Sequence, residues 1–413
     1  MPALSLCFRI HQPYQFKNYG FNDIGKLHTY EDKVAMAAIM DELADNCYLP
    51  ANRILLEQIK KTKGKFRFAF SISGTTLELF EEFRPDLINS FRQLVKTGCV
   101  EILGETFYNS LSWIHSENEF ERQVKKHEAL VKRTFDYEPV VFRNTELLYN
   151  NEFAKYIAAL GYRGLVTDGN SNILEGRSPN QVYAAPDNGD FGILLRNAEL
   201  SEDIACWFGK AKGSRYALTA EKFAERVFHN NTDNSCSINA FLDYETFGIH
   251  KTAGNGIFRF LEEIPHAILV NPRYSFKTPA ESLDHCYPKD IYDVPGIISI
   301  NSGTAETELW HDNIRQNNLI KKLYKLENLV QEAEDDRILN TWGKLQSADH
   351  FCFIEGCSQG EKDMYRFINK TGYTIEKYKQ FSNILTDFEI LLIRNNVEKN
   401  RSRFSQYLSS MLF

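Results

Sequence analysis

Short runs rich in β-branched and aromatic residues alternate with longer stretches of helical periodicity along the first 250 residues. The runs fall at 4–10, 66–73, 99–105, 140–145, 164–167, 192–196 and 237–244, each of strand length. Helical patterns occupy 31–60, 76–97, 117–134, 151–161 and 219–229 between them. Strand, helix, strand in repeated order implies parallel pairing through right-handed crossovers. Seven such strands predict an α/β protein with a parallel barrel, and an open doubly wound sheet is the runner-up.

The pattern then changes. From about 251 to 305 it is irregular and punctuated by Pro265, Pro272, Pro279, Pro288 and Pro295. Beyond Trp310 it turns helical. Leu319, Leu323, Leu326 and Val330 form one apolar stripe, and Ile384, Leu385, Phe388, Leu391 and Leu392 form another. These features predict a barrel over 1–305 and a helical domain over 306–413 packed against it.

Strand ends carry more information than strand interiors. His11, Ser73, Glu101, Glu105, Asn144, Glu146, Asp168, Asn197, Asp243 and Glu245 all fall at or near them. In parallel barrels the chemistry sits at the C-terminal ends of the strands. Acids, amides and a histidine repeated at so many strand ends therefore converge on one bowl.

Four segments stand out. In Phe142-Arg143-Asn144-Thr145-Glu146, an extended backbone puts Asn144 and Glu146 on one face and Arg143 and Thr145 on the other. Glu146 then reads as a nucleophile steadied by an amide, or as an acid favoured by the dipole of the next helix. In Phe241-Leu242-Asp243-Tyr244-Glu245, Asp243 closes an apolar strand and reads as a proton donor or as a loop-starting cap. Glycoside hydrolysis needs one ionised and one protonated carboxyl. His11-Gln12-Pro13 follows the first strand, where Pro13 breaks the pattern and leaves His11 and Gln12 to bind sugar hydroxyls or to be satisfied in a turn. Glu101, Leu103 and Glu105 share one face of their strand. Glu101, apolar on both sides, needs a polar partner, for which Arg143 and His11 are candidates.

Composition narrows the classes. The net charge is −7 and no segment concentrates Lys and Arg, which argues against nucleic acid. The 30 Phe, 20 Tyr and 4 Trp suit sugar stacking, although most must be core. No 18-residue apolar run or signal-peptide pattern occurs, and eight scattered cysteines suit a reducing compartment. A cytoplasmic location without membrane attachment is expected. The ten histidines contain no zinc spacing, and no nucleophile elbow, P-loop or dinucleotide fingerprint follows any strand.

At these four segments the sequence resembles glycoside hydrolase family 57, the α-amylase and 4-α-glucanotransferase family, most closely its bacterial α-amylase-like branch. Trp310, Asn313, Gln316, Leu345-Gln346 and Asp349-His350 resemble the family's fifth motif region. The resemblance implies an irregular (β/α)7 barrel followed by a helical region, and a retaining mechanism on α-glucosidic bonds without a metal or other cofactor. It implies Glu146 as nucleophile and Asp243 as general acid/base, their carboxyls about 5–6 Å apart. His11, Gln12, Glu101, Arg143, Glu245, Trp310, Asp349 and His350 are then expected to bind or support an α-glucan. Two positions depart from the family: Tyr108-Asn109 where relatives often have Tyr-His, and Gly248-Ile249-His250 where they commonly have Gly-Glu-His. These departures keep a non-catalytic glucan-binding protein in view. Two further readings stay open beside it: transglycosylation or branching by the same two carboxylates, and a metal-dependent deacetylase-like barrel.

Overall fold

The computed structural model describes residues 2–209, 218–230, 235–300, 314–352 and 374–411. Its strands are β1 (Ala3–Ile10), β2 (Phe68–Ile72), β3 (Val100–Ile102), β4 (Val141–Arg143), β5 (Gly164–Asp168), β6 (Val182–Ala185), β7 (Asn188–Arg196), β8 (Ser237–Asp243) and β9 (Ser275–Phe276). Seven lie in the order β3-β2-β1-β8-β7-β5-β4, every neighbouring pair parallel. The two ends of that order also meet. Gly104 forms a parallel bridge with Phe142: its N–H donates to Val141 C=O at 2.9 Å, and Arg143 N–H donates to Gly104 C=O at 2.8 Å. Between β7 and β8 the pairing is a single step, Arg196 with Asn239. The result is a parallel barrel, as the alternation predicts, of the irregular (β/α)7 form that the resemblance implies.

The chain divides into two compact units, one formed by 1–12, 37–107 and 120–309, the other by 13–36, 108–119 and 310–413. The first is the barrel. The second contains the C-terminal helices together with two segments that the sequence pattern assigns to the barrel, one following β1 and one following β3. Its helices include Ile314–Lys325, Glu327–Ala333, Asp336–Leu345 and Thr374–Met411, and they bury Leu319, Leu323, Leu326, Val330, Ile384, Leu385, Phe388 and Leu392 of the two apolar stripes.

Alternation along each strand sorts the barrel into two faces. Phe8, Phe68 and Phe70 lie on the outer face, packed with Phe91 and Tyr244 under the surrounding helices, with ring centroids 5.1–5.9 Å apart. Such pairs add about 0.5–1.5 kcal/mol each beyond simple burial. Cys7, Ala69, Leu103, Val141, Val166 and Leu194, from six different strands or their ends, form one buried cluster. Side chains from so many walls meet only in the lumen. One pleat further along, the same parity gives Arg9, Ser71, Glu105, Arg143, Asp168 and Arg196. The lumen is apolar at mid-height and charged at its C-terminal end.

Its N-terminal end is stoppered by helix Pro279–His285. Thr278 and Glu281 form a reciprocal capping box, and Pro279 occupies the first turn, where a missing N–H costs nothing. Ala280, Leu283 and Cys286 pack against the lumen cluster. Leu283 fits a notch left by two facing glycines: a Cβ on Gly164 would lie 2.3 Å from Gly192 O and 2.7 Å from Leu283 Cδ1. This segment corrects the expectation of irregular chain over 251–305. Helix Ile257–Leu269 runs straight through Pro265, because burial of Ile257, Phe260, Leu261, Ile264 and Ile268 on one stripe outweighs one lost hydrogen bond.

Glu101 belongs to this stoppered end and not to the mouth. It is 2% exposed and accepts a hydrogen bond from Ala280 N–H at 2.8 Å. Its partners are therefore Ala280 and Thr278 in the capping turn, not Arg143 or His11. Burial pushes its carboxyl up to about 7, against the pull of those hydrogen bonds.

Two outcomes follow. Gly164→Ala lowers stability by about 1–3 kcal/mol in urea unfolding, since backbone faces the new methyl group. A free Glu ionises near about 4.3, so between there and about 7 the unfolded chain releases a proton that folded Glu101 retains. Stability from this group therefore falls as pH rises across that window. Relative to the parent, Glu101→Gln is more stable at pH 8 than at pH 5, by on the order of 1–3 kcal/mol in paired urea titrations.

Candidate active site

Arg9 is the residue on which the mouth converges. It sits in register beside Asp243 on the adjacent strand β8, and its Nη1 donates to Asp243 Oδ1 at 3.2 Å. Its Nη2 lies 3.9 Å from Glu146 Oε1. Glu146 follows β4, so one guanidinium meets both carboxylates that the sequence marks as catalytic. Their side chains are 15% and 20% exposed, whereas those of neighbouring Arg143 and Glu105 are 7% and 2%. The pair can be reached from solution; Arg143 and Glu105 beside it are buried.

Glu146 owes its placement to an unusual backbone. β4 ends at Arg143, and Glu146 and Leu147 both have φ 53°, a left-handed conformation that costs a non-glycine residue on the order of 1–2 kcal/mol. The turn is over-determined. Asn144 Oδ1 accepts from Thr145 N–H at 2.9 Å and its Nδ2 donates to Leu148 C=O at 3.2 Å. Ile300 N–H donates to Glu146 C=O at 2.8 Å, and the Thr145 hydroxyl bonds that of Thr106. Strain held in this way is common at functional sites. The turn also corrects the extended reading of the motif: Asn144 braces the backbone, not the Glu146 side chain, and Glu146 comes round to the charges beside Arg143.

Behind the pair lies a charge-balanced layer. Arg143 lies 4.0 Å from Glu105, which accepts from Ser71 Oγ at 2.7 Å. Burial, then the positive charge of Arg9, hold the Arg143 guanidinium below its usual range, while Glu105, Glu146 and Asp243 oppose that shift. Across the mouth, Arg196 pairs with Asp168 at 3.0 Å. Removing one member of such a buried set leaves the others uncompensated.

Glu245 lies just beyond Asp243. It accepts hydrogen bonds from Tyr48 Oη and Gln12 Nε2. Burial, and then the negative charge of Asp243, push its carboxyl up to about 7. Tyr48 reaches it from a π-helical turn, Ala44–Tyr48, inside the long first helix. His11 Nδ1 is 2.7 Å from Ser73 Oγ, the cap of helix Gly74–Phe83, and Gln12 N–H donates to Thr76 Oγ1 at 2.8 Å. The loop after β1 is thereby pinned to the next helix.

Glu146, Asp243, Arg143, Gln12 and Glu245 thus lie at the barrel mouth, with His11 fixed on the same loop as Gln12. Arg9 and Glu105 complete the group. Arg9 escaped notice inside an apolar strand, although a lone charge at lumen parity was its signal. Glu105 shares a face with Glu101 and lies two pleats nearer the mouth. Asp349 and His350 belong to the second unit. There Asp349 accepts from Asn109 Nδ2 at 3.1 Å and Ser347 Oγ at 2.8 Å, so Asn109 has a carboxylate to bind where relatives often carry histidine. His350 packs on Phe16 and Phe381. Trp310 lies outside the described residues.

The comparisons with known proteins agree with this architecture. The sequence profile of glycosyl hydrolase family 57 matches residues 5–295. A putative α-amylase of Methanocaldococcus jannaschii is 32% identical over 96% of this chain and 87% of its own. A 4-α-glucanotransferase of Thermococcus litoralis is 23% identical over 66% of this chain and 40% of its own. Among solved structures, a family 57 branching enzyme of Thermococcus kodakaraensis superimposes with a TM-score of 0.63 at 13% identity, covering 96% of this chain and 94% of that one. The T. litoralis glucanotransferase gives 0.67 at 18%, covering 85% and 56%. With the family match over residues 5–295, a relative 32% identical along nearly the whole chain and the barrel in agreement, this chain belongs to glycosyl hydrolase family 57.

Proposed function

We propose that this enzyme cleaves α-1,4-glucosidic bonds of glycogen- or starch-type glucans or maltodextrins with retention of configuration. The observation that carries the reading is the pair of partly exposed carboxylates, Glu146 and Asp243, on one guanidinium at the barrel mouth. The name of the M. jannaschii relative supports the substrate class.

In this mechanism Glu146 attacks the anomeric carbon while Asp243 protonates the departing glucosidic oxygen. The covalent glycosyl-enzyme is then opened by water that Asp243, now ionised, deprotonates. The left-handed turn presents Glu146 without the freedom of an ordinary loop. The buried layer of Glu105, Arg143, Asp168 and Arg196 supplies a fixed field of charge that does not reorganise during reaction. Gln12, His11 and Glu245 supply donors and acceptors for sugar hydroxyls.

An acceptor sugar in place of water makes the same site a glucanotransferase. Incubation with maltoheptaose separates the two, since a hydrolase yields only shorter chains and a transferase also yields longer ones. Glu146→Gln and Asp243→Asn each lower kcat by about 10³-fold or more without loss of fold by circular dichroism. Retention of turnover by Glu146→Gln would remove Glu146 from its role.

A further inference from the structure

Arg9 joins opposite walls of the barrel. Its contact with Asp243 is local, because β1 and β8 are neighbours. Its contact with Glu146 is not. In the ring order, two strands separate β1 from β4 by one route and three by the other. We propose that Arg9 is the positioning residue of the carboxylate pair, its single guanidinium setting the distance and facing of Glu146 and Asp243 across the lumen. The inference rests on the reading of those two residues as the catalytic pair.

The chemistry of the group fits the task. A guanidinium is planar and rigid, so the hydrogen bond from Nη1 to Asp243 fixes where Nη2 stands, 3.9 Å from Glu146 in a charge contact and not a hydrogen bond. When both acids are ionised, two carboxylates facing each other across a pocket repel, and a cation between them offsets that cost. Arg143 cannot take over, because it lies behind the pair against Glu105. Arg143 and Arg9 also repel each other, which biases Arg9 toward the acids in front of it. The turn fixes the backbone of Glu146, and Arg9 supplies the charge that its side chain faces.

A positioning role differs from simple stabilisation in what restores it. Arg9→Ala leaves a guanidinium-sized gap between two acids, with the original side chain 15% exposed, so a free guanidinium ion can enter. In Arg9→Ala, kcat falls by about 100-fold or more while KM stays within about threefold, the cost of misplacing reacting groups by an ångström or so. Guanidinium chloride at about 50 mM returns at least about tenfold of that loss, and urea at equal concentration returns none. The same salt raises the melting temperature of Arg9→Ala relative to sodium chloride, although it lowers that of the parent. Arg9→Lys, whose one ammonium cannot span both acids, melts like the parent but loses about tenfold or more in kcat. Parent-like kcat in Arg9→Lys, or a folded Arg9→Ala that guanidinium neither reactivates nor stabilises, overturns the proposal. Full turnover by Glu146→Gln and Asp243→Asn, with guanidinium still stabilising Arg9→Ala, refutes the catalytic reading alone.

Discussion

Charge enclosed by a ring of strands has to be balanced within that ring. The mouth of this barrel comes within one charge of that balance, with Arg9, Arg143 and Arg196 set against Glu105, Glu146, Asp168 and Asp243. An ion taken out of water costs several kcal/mol unless opposite charge and hydrogen bonds replace its hydration. The arrangement is therefore collective. Each arginine is tolerable because acids surround it, and each acid has a cation within reach. The shape of the mouth depends on this mutual compensation more than on any single contact.

Below the charged layer the lumen is ordinary core, and the contrast explains where chemistry sits. Leu103, Val141, Val166 and Leu194 fill the middle, where nothing polar needs to be satisfied. One pleat toward the C-terminal ends, the same strands switch to charged side chains. Parallel pairing puts every such switch at the same end, so a single change in sequence parity repeated on several strands builds a site. Glu101 marks the opposite end of that logic. It is an acid of the right parity two steps too early, its carboxyl pushed up to about 7 by burial and held by the turn that starts the stopper helix.

Much of this was legible in the sequence, and the failures have physical causes. Strand–helix alternation gave seven of the barrel strands because parallel strands need long crossovers, which leave a visible period. Glu146, Asp243 and Glu245 stood out because each follows an apolar run. Arg9 did not, since one charge within an apolar strand reads as an exception until its partners on other strands are known. The turn at Glu146 was hidden for a related reason: nothing in Asn144-Thr145-Glu146 demands positive φ, and it is Ile300, Thr106 and the Asn144 side chain that hold it there. Pro265 and Pro279 suggested irregular chain, yet one lies inside a buried helix and the other starts one. Position within a helix, not the presence of proline, decides its effect.

The stopper helix has a topological consequence for any long polymer that reaches this protein. With the N-terminal end plugged by Leu283 in its glycine notch and the middle filled with side chains, the barrel is a cul-de-sac. A glucan cannot thread through it. On the function proposed above, the polymer would lie across the rim with one bond dipping toward the acids, and both product ends would depart on the side from which the chain arrived.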